Sequence, residues 1–312
     1  MAALLHLNLF GSMSIHLNGH PAPALTLGGR MASLLAFLAL ARGRFFSRSE
    51  LCAVLWADRG DTVNPGAFNT TLWRLRRALE QPPLAQGSVI GSDGRGGIGL
   101  LTGEALLLDI EEFQRLTGPG LAHPLEALTE ADIAGLRAGV ALYKADILCE
   151  FNDDWALRER EKQRRTYLNA HGRLMKLAAL GADHPAGIRH AQAILDCDPL
   201  REDIHRELMR LYVLAGQRAL ALRQFEYCRG LLKRELAIQP MPETVALYQH
   251  INAGAIGTAV GSSPMLGAAQ ASLAAALLPS RAPDPRDQIE AARRLLAEAD
   301  AQLQRSLRQL ES

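Results

Sequence analysis

Residues 64–79 read Asn64-Pro65-Gly66-Ala67-Phe68-Asn69-Thr70-Thr71-Leu72-Trp73-Arg74-Leu75-Arg76-Arg77-Ala78-Leu79, and this stretch decides the fold. Asn64 is a good helix N-cap, and Pro65 suits the first helical position, where a missing N–H costs nothing. At about 100° per residue, Phe68, Leu72, Leu75 and Leu79 fall within about 60° of one another. They make one apolar stripe that must pack inward. Thr70, Trp73, Arg74 and Arg77 fall on the opposite side, flanked by Asn69. A solvated charged face is the common reading of such a surface. Trp73 argues against it, because an exposed indole among arginines is costly without a partner. A helix held by its apolar stripe, with Thr, Trp and Arg on the other side, suits a DNA groove.

The flanking sequence supplies a scaffold. Residues 4–10 and 13–17 alternate apolar and polar, with Gly11-Ser12 between them and Asn18-Gly19 after, so two or three short antiparallel strands are expected. Residues 30–41 read as a compact apolar helix. Ser47-Arg48-Ser49-Glu50 is a capping box that opens a second helix through Leu51, Val54, Leu55 and Trp56. After the third helix come Ser88-Val89-Ile90, a glycine turn bearing Arg95, and Ile98-Gly99-Leu100-Leu101. This predicts a hairpin whose tip carries one arginine, suited to a minor groove or a phosphate. Gly94, Gly96 and Gly99 also satisfy G-x-G-x-x-G. No helix is expected to open there, so a dinucleotide site is not supported.

At 312 residues the chain is long enough for about two domains. Hydrophobic content of 48% and charge of 21% are those of an ordinary globular protein. Net charge is only +1, so any basic surface must be local. The first 105 residues hold nine arginines, six acids and no lysine, and seven of those arginines lie between Arg42 and Arg77. Arginine without lysine suits bidentate contact with phosphate or guanine. Cys52, Cys149, Cys197 and Cys228 are scattered and read as buried free thiols of a reducing cytosol. The nine histidines show no metal spacing. No Ser/His/Asp or paired-carboxylate pattern points to catalysis, so neither an enzyme nor a bound cofactor is expected. There is no signal-peptide pattern. Residues 251–280 carry no charge, but their glycine, proline and alanine content favours a linker over a membrane anchor.

Strands, three helices and a closing hairpin amount to an α+β winged helix. Leu34-Leu35-Ala36-Phe37-Leu38-Ala39-Leu40, the segment from Ser47 to Trp56, Leu75-Arg76-Arg77-Ala78-Leu79 and Gly97-Ile98-Gly99-Leu100 resemble the OmpR-type DNA-binding domain. They look most like the version in the SARP-type bacterial activators. The resemblance implies a third helix in the major groove and a hairpin on the minor groove. It makes Thr70, Trp73, Arg74 and Arg77 the candidate base or phosphate contacts and Arg95 the wing contact. The family commonly has arginine where Asn69 stands and an aromatic where Ile98 stands. Asn69 is therefore the reading-face position where the target sequence should differ.

The second half contains a repeat. His171-Gly-Arg-Leu-Met-Lys-Leu177 and His205-Arg-Glu-Leu-Met-Arg-Leu211 match at an offset of 34 residues, the tetratricopeptide period. Each copy leads through a small-residue turn to a second helix, over 185–196 and 217–234. Stacking such hairpins predicts Leu174, Leu177, Leu208, Leu211, Leu214, Leu222 and Phe225 as core, with Met175 and Met209 packing beside them. His171 and His205 read as ordinary helix residues. Tyr143-Lys-Ala-Asp-Ile-Leu148, Trp155 with Arg158-Glu159-Arg160, Asp198-Pro199-Leu200-Arg201-Glu202, Leu208-Met209-Arg210-Leu211-Tyr212 and Pro242-Glu243-Thr244 resemble the bacterial transcriptional activator domain.

The expected organisation is a winged helix over 1–105 and an all-α TPR-like activator domain over 106–252. A flexible linker over 253–284 and an amphipathic helix over 285–312 follow. In that last helix Ile289, Leu296, Leu303 and Leu310 recur every seven residues, as in a short coiled coil or a helix docked on its own protein. The resemblance implies a cytoplasmic regulator that binds double-stranded promoter DNA, and a helical module that supports homodimer or RNA polymerase contacts. Two readings stand beside it: a protein-interaction adaptor working through the repeat, and a membrane-tethered regulator.

Overall fold

The computed structural model describes residues 5–17, 25–56, 65–82, 84–103 and 105–254. They fall into two compact units, one ending at Leu211 and one starting at Tyr212.

The first unit opens with strands β1 (Leu5–Asn8) and β2 (Ser14–Leu17), followed by helices α1 (Gly29–Leu40), α2 (Arg48–Leu55) and α3 (Pro65–Leu79). A hairpin of β3 (Ile90–Ser92) and β4 (Ile98–Leu100) closes over them. β1 and β2 pair antiparallel, with Leu5 opposite Leu17 and Asn8 opposite Ser14. The third strand of their sheet is β5 (Leu106–Leu108), which lies parallel to β1 with Leu5 opposite Leu106. Leu106-Leu107-Leu108 shows no clear alternation to announce a strand. In the sheet, Leu106 and Leu108 turn inward beside Leu5 and Leu7, and Leu107 stays exposed.

The core of this layer is Leu34, Leu35 and Leu38 from α1, Leu51 and Leu55 from α2, Phe68 and Leu75 from α3, and Ile90, Ile98 and Leu100 from the hairpin. The capping box at Ser47 and Glu50 is formed in both directions. The N-cap expected at Asn64 lies outside the described residues. The hairpin docks on the chain before α2, where Phe46 and Ile98 exchange backbone hydrogen bonds of 3.0 and 2.8 Å. A side chain at Gly99 would put Cβ 2.4 Å from the Arg44 carbonyl oxygen, so only glycine permits this approach. β4 runs through the end of the G-x-G-x-x-G motif, and no helix opens there.

Helices α4 (Asp109–Ala122), α5 (Glu130–Leu142), α6 (Asp154–Leu180), α7 (His184–Cys197) and α8 (Glu202–Leu214) follow. α4 and α5 approach closely enough that Cβ on Gly135 would sit 2.6 Å from the Leu116 carbonyl oxygen. α6 runs for 27 residues and begins well before the repeat motif. Its first turns belong to the N-terminal core: Trp155 meets the Phe37 ring edge-on at 5.5 Å, and Ala156 is fully buried. The segment before α6 is tied to the same core. Leu148 donates its N–H to the Leu9 carbonyl at 2.9 Å, and Arg160 donates to the Ile147 and Phe151 carbonyls at 3.0 and 2.9 Å. The N-terminal strand–helix layer and the first turns of α6 thus share one core, which Trp155 of α6 and Phe151 just before it help to fill.

Each repeat copy begins a helix–turn–helix: α6 leads to α7 through Gly181-Ala182, and α8 leads to α9 (Arg218–Leu236) through Ala215-Gly216. In the second unit Phe225 of α9 stacks on Tyr248 of α10 (Pro242–Asn252) at 4.2 Å. Leu174, Leu208, Leu211 and Phe225 are buried as expected, and so are Met175 and Met209. Leu177 and Leu222 are only half-buried, and Leu214 is 37% exposed at the end of α8, where the helix stops and its apolar stripe runs out.

His171 and His205 lie within helices α6 and α8, as expected. His171 and His205 are both buried. His171 Nδ1 lies 3.0 Å from His190 Nδ1, so one ring donates to the other. His171 Nε2 is buried without a hydrogen-bond partner. His205 Nε2 lies 2.9 Å from the Pro199 carbonyl oxygen. The cysteines depart from expectation. Only Cys228 is buried, Cys52 and Cys197 are half-buried, and Cys149 is exposed. The linker and last helix expected beyond 254 lie outside the described residues.

Candidate nucleic-acid interface

α3 has the two faces read from its spacing. Phe68, Leu72, Leu75 and Leu79 are at most 5% exposed, and Phe68 meets Trp56 of the α2 C-cap edge-on at 5.8 Å. Asn69, Thr70, Trp73, Arg74 and Arg77 are exposed on the other side. Trp73, at 57% exposure, is not bare indole: the Arg77 guanidinium lies over its ring at 5.2 Å. That contact offsets part of the cost of exposure and holds both side chains in one orientation. Thr70 donates its hydroxyl hydrogen to the Gly66 carbonyl at 2.8 Å, leaving a lone pair and a methyl group for a ligand.

Arg95 is exposed at the tip of the hairpin. The tip is built by Asp93, whose Oδ1 accepts from the N–H groups of Arg95 and Gly97 at 2.9 and 2.6 Å. Gly96 has φ of +81°, which a side chain would disfavour. The structure therefore places five of the six candidate residues on one helix face and the sixth on a separate hairpin.

The last turn of α3 and the hairpin are joined by Glu80. Its carboxylate accepts backbone N–H groups from Gly87 at 2.8 Å, Val89 at 3.1 Å and Ile90 at 2.9 Å. Sequence reasoning passed over this residue, because a single acid at a helix end reveals no partner seven to ten residues on.

Not all of the arginine enrichment is surface charge. Arg42 is braced inside the fold, with Glu111 at 2.7 Å, the Leu101 carbonyl at 2.8 Å and the Gly103 carbonyl at 2.6 Å. Arg30 lies over the Trp56 ring at 5.5 Å and donates to the Leu55 carbonyl. Arg48 and Arg76 were not among the expected contacts, yet both line a surface recess of about 430 Å³ beside Asn69, Trp73 and Arg77. Among the described residues no group of three His, Cys, Asp or Glu side chains is placed to hold a metal. Among them, no helix is long and apolar enough to cross a membrane.

Comparison with known proteins places this geometry in context. Residues 108–252 match the bacterial transcriptional activator domain family. The chain is 22% identical over 257 residues to the transcriptional regulatory protein MoaR1 of Mycobacterium tuberculosis, covering 80% of each chain. It is 27% identical over 256 residues to the regulatory protein AfsR of Streptomyces coelicolor, covering 81% of this chain and 25% of AfsR. Among solved structures it resembles Mycobacterium tuberculosis EmbR in complex with a low-affinity phosphopeptide, with a TM-score of 0.66 and 18% identity. That alignment covers 88% of this chain and 70% of the EmbR chain, and at such identity it speaks for the fold alone. Residues 108–252 thus match the bacterial transcriptional activator domain, and over most of its length the chain is similar to proteins named as transcriptional regulators.

Proposed function

We propose that the chain is a sequence-specific reader of double-stranded promoter DNA that activates transcription. In this reading α3 enters the major groove and presents Asn69, Thr70, Trp73, Arg74 and Arg77 to base edges and nearby phosphates. Arg95 reaches the minor groove or a phosphate from the hairpin tip. Residues 1–105 do the reading. Residues 106–252, TPR-like in their repeat, recruit RNA polymerase and support a homodimer on repeated half-sites. The protein works in the cytoplasm and needs no cofactor.

The observation that carries this reading is the division of α3. Its apolar stripe is fully used by the core, so the opposite face is free, and that face holds an arginine stacked on an exposed tryptophan. On a solvated surface such a pair is worth only about 0.5–1 kcal/mol, whereas a groove offers both stacking and bidentate acceptors.

Genome-wide footprinting of the full chain tests it. The expected result is protection of discrete duplex sites upstream of genes, with half-sites separated by about one helical turn or a multiple of it. Absence of any protected site, with partner proteins still captured, would favour an adaptor.

A further inference from the structure

We propose that the recess between Arg48 and Arg76 seats one DNA backbone phosphate; the proposal rests on the DNA-reading role given to α3. Arg76 and Glu80 are four residues apart on α3, a spacing at which opposite charges normally pair. Here they do not. Both Glu80 oxygens are spent on the backbone N–H groups of Gly87, Val89 and Ile90. No ion pair joins Arg76 to a described carboxylate, and its Nε is buried with no hydrogen-bond partner. A donor left unsatisfied in this way marks a guanidinium whose charge the described fold does not pair.

The recess around it is built for an anion. Arg48, at the first position of α2, lines it together with Arg76 and Arg77. Glu80 is the one carboxylate among its lining residues, and its charge is already engaged by the loop backbone. Guanidinium forks match the oxygens of a phosphate bidentately.

Its position suits the backbone of a duplex rather than a base. Arg76 lies about 60° around the helix from Trp73, towards the core stripe. A helix about 10–12 Å across nearly fills a major groove about 12 Å wide, so phosphate strands run along its flanks. Arg76 and Arg48 face that flank, while Trp73 and Arg74 face the groove floor. The labour divides accordingly: Arg48 and Arg76 fix how deep and in what register α3 sits, and carry no sequence preference of their own.

The test uses the full chain and its variants Arg48→Gln, Arg76→Gln and the double change. Binding to a random-sequence 30-bp duplex and to a footprinted site is followed by fluorescence anisotropy across a salt series. The double variant should bind both duplexes about tenfold more weakly, with the slope of log K against log salt reduced by about one. The ratio between the two duplexes should not change. Far-UV circular dichroism and melting should match the parent, since the change removes an unsatisfied charge and no core contact. An unchanged slope and affinity would overturn the phosphate seat while leaving DNA reading intact. A loss confined to the footprinted site would overturn it too, by showing base readout. If the parent chain binds neither duplex, the DNA-reading role itself fails and the seat falls with it.

Discussion

The carboxylate of Glu80 accepts the backbone N–H of Ile90 at 2.9 Å, so the end of α3 holds the first strand of the hairpin. The same side chain also takes the N–H groups of Gly87 and Val89. One residue therefore sets the angle between the proposed reading helix and the proposed wing. Glu80→Ala leaves buried donors unsatisfied and should cost about 3 kcal/mol of stability, measured by chemical denaturation. Glu80→Gln keeps one acceptor oxygen and should cost clearly less. Equal, negligible losses in both would show that the loop does not depend on this carboxylate.

Opposite faces of α3 should respond to mutation in opposite ways. Leu75 is fully buried, so Leu75→Ala should cost about 2–5 kcal/mol. Arg74 is exposed and makes no contact that holds the fold, so Arg74→Ala should stay within about 0.5 kcal/mol of the parent. Thermal melting of the two variants side by side decides this. A large loss at Arg74 would mean that its face is structural.

The buried histidines predict sensitivity to acid. Burial first, then the neighbouring His190, pushes His171 down to about 4. Burial also lowers His190 and His205. A histidine depressed in the folded state is neutral there and readily protonated once unfolded. Its contribution is complete above the unfolded value of about 6.5 and is lost as pH falls through the folded value. Stability should therefore decline between about pH 6.5 and pH 4, by on the order of 2 kcal/mol for His171 alone. His171→Phe should flatten that decline, and an unchanged pH profile in the variant would count against the buried pair.

Trp155 ties α6 to the N-terminal core through the Phe37 ring. Trp155→Ala should cost about 3–5 kcal/mol, with the loss seen by probes on both the strands and α6. Hydrogen exchange is the suitable readout. Loss of protection in α6 alone, with β1 and α1 unaffected, would show that the shared core is not cooperative.

Much of the proposed interface was legible before any coordinates. The four-position stripe of α3 needs only the helix period, and burial of Phe68, Leu72, Leu75 and Leu79 follows it directly. The capping box at Ser47 is equally local. What sequence did not reveal depends on distance along the chain. β5 pairs with β1 about 100 residues away, and no local period marks it. Arg42 looks like surface charge until Glu111 and two carbonyls are brought to it. Arg76 and Glu80 look like an ion pair until the loop claims the carboxylate. The contact of His171 with His190 has no local signal, because it exists only once α7 packs on α6. Leu214 follows the repeat pattern but lies at a helix end.

The central claim is that the exposed face of α3 reads DNA, and one titration tests it most directly. The full chain and its Arg74→Ala/Arg77→Ala variant are titrated against a footprinted duplex in the presence and absence of random-sequence competitor. The account predicts that the parent prefers the footprinted duplex, and that the variant loses about a hundredfold of that preference with its fold intact. A variant that binds the footprinted duplex with the parent's affinity and preference would contradict it.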